Sequence, residues 1–344
     1  MNDIIKWGII GLGNIAYGFA KSFDNTKNAK LTAIASKTPD KLSKFKNEFN
    51  INSNNCYDDY EKLLNSADVD IVYITLPHTF HFDWVMQAIK KDKRILIEKP
   101  AFLTLEEAKI IKQKIEEKKI FFTEGFFYRY LPHISDIIKI INDDQIGKLI
   151  SMESSFGLNL LTKKRFFFFK KKKKIDPSGR LFNSELGGGC IFDLGCYPSS
   201  FSLLVASLIK NIDYKNFKVL DIKKEIGETG VDIDASAVIQ FDSGFTSLIK
   251  SSFEKDIGNK SIINGKKGRI IIHDTWFGDA IKKIIGDKTY ELKKRSYTHI
   301  LSYEIENISH AILNNFKEAP FPGMSFDETL LNTKILEEWF NASK

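Results

Sequence analysis

The rhythm of apolar and polar positions changes once along the chain, near Phe126. Before that point, short apolar runs of strand length alternate with helical patterns. Ile4–Ile10, Lys30–Ala35, Asp70–Leu76, Arg94–Glu98 and Ile120–Thr123 read as strands. The segments Ile15–Phe23, Pro39–Phe49, Asp58–Ala67, Phe82–Lys90 and Leu105–Lys118 read as the helices between them. Thr38 followed by Pro39, and Thr104 followed by Glu107, supply N-terminal cap signatures. This alternation predicts an α/β domain with a doubly wound parallel sheet.

Beyond Phe126, strands follow one another with little helix between: Leu149–Phe156, Phe217–Ile222, Ala235–Phe241, Thr246–Ser252, Lys260–Ile263 and Arg269–His273. Such runs need short antiparallel links, so a second α+β domain with a mostly antiparallel open sheet is expected. Helices are expected there at Pro198–Lys210, Tyr303–Phe316 and Phe326–Phe340. A length of 344 residues suits two domains, with the division placed at residues 1–125 and 126–344.

With 43% hydrophobic and 28% charged residues the chain is globular, which excludes global disorder and fibrous repeats. The net charge of +7 has one source: Lys163–Lys174 reads KKRFFFFKKKKK, and without its eight cations 43 basic residues face 44 acidic ones. No general nucleic-acid footprint remains. Apolar runs such as Ile9–Leu12 and Phe166–Phe169 are far shorter than the roughly 20 residues of a membrane span. Three cysteines without repeating spacing, and no apolar leader before Ile4, give a reducing, cytoplasmic setting as the expectation.

Gly11-Leu12-Gly13-Asn14-Ile15-Ala16 follows the first strand directly and opens the first helix. In such a GxGxxA turn the first glycine allows the bend and the second lets backbone amides approach a pyrophosphate. The small third residue keeps helix and sheet close, so a dinucleotide site is expected. At the second strand's tip an NAD-preferring site places an acid on the ribose hydroxyls. Here stand Ser36, Lys37 and Thr38, suited to the 2′-phosphate of NADP, with plain turn and N-cap roles as the alternative reading. NADP is therefore the preferred cofactor and NAD the alternative.

Leu76, Pro77, His78 and His81, after one strand, and Glu98-Lys99-Pro100, after the next, fall at the carboxyl edge where open α/β sheets bind ligands. The two histidines lack a third ligand, so no metal site is expected. Two later segments stand out: Glu124–Pro132, reading EGFFYRYLP, and Gly187–Tyr197, reading GGGCIFDLGCY. On a helix, Asp193 and Tyr197 share a face. Arg129 either contacts substrate or pairs with an acid between the domains. Cys190 and Cys196 read as packing residues, and Trp7, Trp84, Trp276 and Trp339 as core or interface anchors.

In this order and over nearly the whole chain, the motifs resemble the Gfo/Idh/MocA family, named for glucose-fructose oxidoreductase, inositol dehydrogenase and rhizopine catabolism. Many relatives have histidine where Tyr197 stands. The tyrosine form is more similar to the branch of glucose-fructose oxidoreductase and dimeric dihydrodiol dehydrogenase, which tends to use NADP. The resemblance implies an N-terminal Rossmann domain, a homodimer through the C-terminal sheet, and hydride transfer to or from a sugar, cyclitol or related polyol. Tyr197 is then the proton-exchanging group, Lys99 the charge that favours its phenolate and binds a substrate hydroxyl, and Asp193 a substrate-binding or orienting group. A glycosidase using transient nicotinamide redox chemistry and a non-catalytic NAD(P)-binding regulator are the alternatives, the latter disfavoured by Lys99 and Tyr197. The Phe/Lys run is the departure from the family's pattern. It reads either as a strand or solvated loop, or as cations that draw in an anionic sugar.

Overall fold

The structure, a computed structural model, describes residues 4–165, 169–278, 280–292 and 297–342, with the side chains of 163–172 outside that description. It divides into two compact units, Met1–Leu131 with Thr298–Leu330 and Pro132–Tyr297 with Leu331–Lys344.

The first unit is built on six parallel strands, β1 (Ile5–Ile10), β2 (Ala29–Ala35), β3 (Cys56–Tyr57), β4 (Ile71–Ile74), β5 (Arg94–Glu98) and β6 (Phe122–Gly125), in the order 3-2-1-4-5-6. Helices α1 (Asn14–Ser22), α2 (Pro39–Glu48), α3 (Tyr60–Leu64), α4 (His81–Lys90) and α5 (Leu105–Lys118) connect them. β4 is buried at every position, as a parallel strand covered on both faces must be. Thr104 caps α5 by accepting the Glu107 N–H (3.2 Å), while Glu107 accepts the Leu103 N–H (3.3 Å).

The second unit holds α6 (Pro132–Asn142), β7 (Leu149–Gly157), the hairpin strands β8 (Thr162–Arg165) and β9 (Phe169–Lys172), α7 (Cys196–Ser207), and β10 (Phe217–Ile226) through β11 (Asp232–Phe241), β12 (Thr246–Ser252), β13 (Ser261–Gly265), β14 (Gly268–Ile272), β15 (Ile281–Ile285) and β16 (Lys288–Glu291). Eight of these strands form one sheet, ordered 10-11-12-7-13-14-15-16, antiparallel except where β12 runs parallel to β7. β8 and β9 pair separately; Phe166, Phe167 and Phe168 of the Phe/Lys run lie outside the described residues. The stretch Ser184–Ser207 has the length and hydropathy of a membrane span, yet its apolar window is wholly buried within the fold. α7 is buried on every face from Cys196 to Ala206, its serines included, as a core helix is.

The last two helices are α8 (Ile300–Leu313) and α9 (Phe326–Asn341). A single division at 125/126 assigns 298–330 to the second domain, whereas in the structure this segment belongs to the first unit. Leu301, Ile305, Ile308 and Ile312 make a buried stripe on α8, and the Trp7 indole of β1 donates to Ser309 Oγ (3.0 Å). Helical spacing reveals such a stripe but not which sheet it covers. Trp7, Trp276 and Trp339 are fully buried, and Trp84 packs edge-on against Tyr60. None of the three cysteines is in a disulfide.

Glu124 shows how the chain's return is fastened. At the end of β6 it is fully buried, accepting the Ala101 N–H (2.9 Å) through one oxygen and the Thr329 hydroxyl (3.0 Å) through the other. Burial pushes its carboxyl up to about 7 against the hydrogen bonds that favour ionisation. A raised acid holds its proton longer folded than unfolded, so its contribution is complete below about pH 4.5 and is lost as pH rises toward 7. Urea unfolding of the parent and of Glu124→Gln should therefore diverge with pH. The parent is expected to lose roughly 3 kcal/mol relative to the variant across that interval, and parallel pH profiles would refute the assignment.

Candidate active site

Strand order reverses between β1 and β4, leaving a crevice at their carboxyl ends. Gly11 turns there with φ +87°, its N–H donating to Ala35 O (3.1 Å). A Cβ on it would meet Leu76 Cδ2 at 2.9 Å and Thr75 O at 3.0 Å. Gly13 differs: a Cβ there would meet nothing within 4 Å. It stands at the N-cap of α1, where no side chain caps the helix and no acid occupies the first turn. An uncapped helix start beside open space fits a pyrophosphate, because outward amides and the helix dipole both favour an anion. Ala16 is buried against the sheet while Ile15 is exposed beside it.

At the tip of β2, Ser36 Oγ accepts the Thr38 N–H (3.1 Å) and so forms the turn. Thr38 occupies the N-cap position of α2 without capping through its hydroxyl, and Lys37 is exposed, its Nζ 5.5 Å from the Tyr60 ring centroid. No acid stands at this tip. Along the crevice, Leu76 and Pro77 are half-buried and His78 is buried beside His81. His81 has Nδ1 3.0 Å from Pro100 O and Nε2 2.8 Å from Leu76 O. It thus braces the loop after β4 against the loop after β5, a structural role that the sequence reading does not assign.

The Tyr73 hydroxyl donates to Glu98, whose other oxygen accepts the Lys99 N–H (3.2 Å). Lys99 itself is half-buried, and the Lys99–Pro100 bond is cis. Glu304 of α8 is buried, and burial together with nearby Glu98 holds its carboxyl well above the usual range. Arg129, one of whose two readings was substrate contact, is fully buried and ion-paired with Glu328 at 2.9 Å within the same unit. The expected acid partner is present, but in Arg129's own unit and not between the domains, because 298–330 returns to the first unit.

In the second unit Asp193 lies in a π-helical turn, Ile191–Gly195, that runs straight into α7, and Tyr197 stands in the first turn of α7. The Tyr197 ring is wedged between Phe156 (5.2 Å) and Trp276 (5.3 Å). The glycines of this motif answer to close approach. A Cβ on Gly188 would meet three carbonyl oxygens of residues 180–183 at 2.8 to 2.9 Å, and one on Gly195 would meet Trp339 at 2.8 Å. Gly189, at φ +116°, leaves no room for a Cβ beside the Asp232 carboxylate. Asp232 in turn accepts the Ile191 N–H (2.7 Å), fixing the start of the segment that carries Asp193 and Tyr197. Arg180 donates to Asp193 Oδ1 at 2.9 Å.

Asp232, Arg180 and Glu304 are the residues missed in the sequence. Each acts across 13 or more positions, where no local pattern reports it. Among the described residues no cluster of His, Cys, Asp or Glu could hold a metal.

Residues 5–126 match the family described as "Oxidoreductase family, NAD-binding Rossmann fold", and residues 134–271 match "GFO/IDH/MocA C-terminal domain". The chain is 26% identical to trans-1,2-dihydrobenzene-1,2-diol dehydrogenase of Xenopus tropicalis, covering 97% of this chain and 96% of that one. It is 27% identical to D-xylose 1-dehydrogenase (NADP(+)) 2 of Haloferax volcanii over 73% and 70% of the two chains. An aldose-aldose oxidoreductase from Caulobacter crescentus, solved with glycerol, shares the fold with a TM-score of 0.83 at 20% identity, over 98% of this chain and 96% of that one.

The two crevice glycines should respond differently to alanine. Gly11→Ala should lower stability by at least roughly 1 to 2 kcal/mol, through its left-handed backbone. Gly13→Ala should unfold at the parent's urea midpoint yet bind dinucleotide at least about tenfold more weakly in a fluorescence titration. A Gly13→Ala protein with parental affinity would contradict the crevice assignment.

Proposed function

The chain belongs to the Gfo/Idh/MocA oxidoreductase family, and from that premise we propose that it transfers hydride between NADP and a hydroxyl or carbonyl of a small sugar, cyclitol or cyclic diol. The observation that carries this reading is the open Gly13 position at the uncapped start of α1, on the carboxyl edge of the parallel sheet. When bound, the dinucleotide supplies a nicotinamide ring that accepts hydride from an alcohol or returns it to a carbonyl.

The chain's own groups then have separate tasks. Backbone amides at Gly13, Asn14 and Ile15 hold the pyrophosphate, and Lys37, with the Ser36 and Thr38 hydroxyls, holds the 2′-phosphate. Tyr197 takes the proton from the substrate hydroxyl in oxidation and returns it in reduction. A free phenol near pKa 10 is a poor base at neutral pH, so a cation is needed to favour its phenolate. The family resemblance gives that charge, and the binding of a substrate hydroxyl, to Lys99, and the orienting of the substrate to Asp193. Dihydrodiol and xylose dehydrogenases among the relatives support this chemistry over the glycosidase and regulator alternatives. The basic strands β8 and β9 favour an anionic sugar as substrate. The exposed side of the eight-stranded sheet is proposed to pair two copies, and cysteines outside disulfides suit a reducing cytoplasm.

Lys37→Ala should weaken NADP by about one to two powers of ten and leave NAD nearly unchanged, because only the former carries the 2′-phosphate. Calorimetric titration with both nucleotides decides this, and tighter NAD binding by the parent would overturn the preference. Tyr197→Phe should retain NADP binding and lose turnover by on the order of 100-fold or more, with Lys99→Met at least as damaging. Near-parental turnover in Tyr197→Phe would pass the proton-exchanging role to His78 or His81.

A further inference from the structure

Asp193 is an awkward neighbour for a phenol that must ionise. The two residues stand four apart on one continuous helical segment, so an uncompensated carboxylate at 193 would hold the Tyr197 proton in place. The structure supplies a counter-charge. Arg180 Nη1 lies 2.9 Å from Asp193 Oδ1, with the carboxylate side chain only 11% exposed and the guanidinium 43% exposed. We infer that Arg180 is a positioning residue that neutralises and orients Asp193, so that the Tyr197 phenol can ionise at working pH.

The loop bearing Arg180 is built into the motif and does not merely hang beside it. Gly188 N–H donates to Asn183 O (2.9 Å) and Gly189 N–H to Leu181 O (3.0 Å). Gly188 admits no Cβ because the carbonyls of Arg180, Leu181 and Asn183 close over it. Asp193 N–H donates back to Gly189 O (3.1 Å), so one backbone chain of bonds joins the arginine's loop to the acid it meets. Gly188 thus has a purpose here beyond flexibility: it lets the 180–183 loop press against the start of the helical segment, while Gly189 makes room for Asp232.

Among the described residues, several charged groups on neighbouring elements have partners of their own. Glu153 of β7 and Lys250 of β12 pair at 2.6 Å, with both side chains more than a third exposed. Asp274, next to Trp276, accepts the Trp276 and Phe277 N–H groups. Asp232 of β11 is tied to Ile191, and on α9 Lys334 pairs with Glu338 (3.9 Å) beside Glu337. The Arg180–Asp193 pair places a charge couple at the helical segment that carries the phenol.

The inference rests on the reading of Tyr197 as the proton-exchanging group, and its test separates the two. Tyrosinate absorbance is followed through a pH titration of the full chain, and subtracting the matching Tyr197→Phe protein isolates the one phenol. Arg180→Gln should raise that midpoint by about one to two pH units, a ten- to hundredfold loss of phenolate at fixed pH. Arg180→Lys should stay near the parent. Arg180→Gln/Asp193→Asn should return to the parental midpoint or below it, since the opposing charge is gone. Far-ultraviolet dichroism and urea midpoints accompany each variant, and Arg180→Lys with the double variant carry the comparison should Arg180→Gln unfold. An unmoved midpoint in Arg180→Gln, or a double variant displaced as far as the single, overturns the inference. Turnover that survives Tyr197→Phe, with the midpoints shifted as expected, removes the catalytic reading and leaves the charge coupling standing.

Discussion

Everything proposed for the first unit depends on how the chain leaves β1. Gly11 donates its N–H to Ala35 of β2, while Thr75, just past β4, donates its N–H to Ile10 O (2.9 Å). The strand end is therefore tied on both sides at the point where the order of the sheet reverses. A residue held that way at φ +87°, with Leu76 and Thr75 pressed against it, can carry no side chain. The turn aims α1 so that its first amides face outward and Gly13 opens onto empty space. Anion binding follows from backbone geometry before any side chain is considered.

The second unit uses small residues for the same physical end, close approach, with a different result. Gly188 and Gly189 admit a loop and an acid from β11, and Gly195 admits the Trp339 ring. Together they lock the segment that carries Asp193 and Tyr197, the two residues proposed to orient the substrate and exchange the proton. The aromatic neighbours Phe156 and Trp276 pack against the Tyr197 ring and help to fix where its hydroxyl stands. In both units rigid backbone comes first and reactive groups are hung on it.

Sequence makes the crevice legible because its signals are local. A strand, a GxGxxA turn and a helix follow one another within 18 residues, and β5 and α5 have the bounds that their apolar pattern and the Thr104 cap predict. The last two strands, half-buried β15 and exposed edge strand β16, are not legible, since IKKII and KTYE carry no alternating apolar pattern. α8 is legible as a helix but not as part of the first unit, because its stripe is equally suited to either sheet. Asp232 and Arg180 escape for a related reason: a cap supplied from 41 positions away, and an ion pair across 13, leave no periodic trace. His81 adds a bracing role that its position at the ligand-binding edge does not suggest, its ring reaching the carbonyls of Leu76 and Pro100.

The central claim is that this chain moves hydride between a nicotinamide and a carbon bearing oxygen. Its most direct test is growth of the reduced-nicotinamide absorbance band on mixing the full chain with NADP and a panel of aldoses, inositols and cyclic diols, with the oxidised product quantified in parallel. The account predicts that at least one substrate yields reduced nicotinamide and ketone or lactone in equal amounts. Tight NADP binding with no turnover on any of them, or release of a free sugar from a glycoside with no net change in the nicotinamide band, would contradict it.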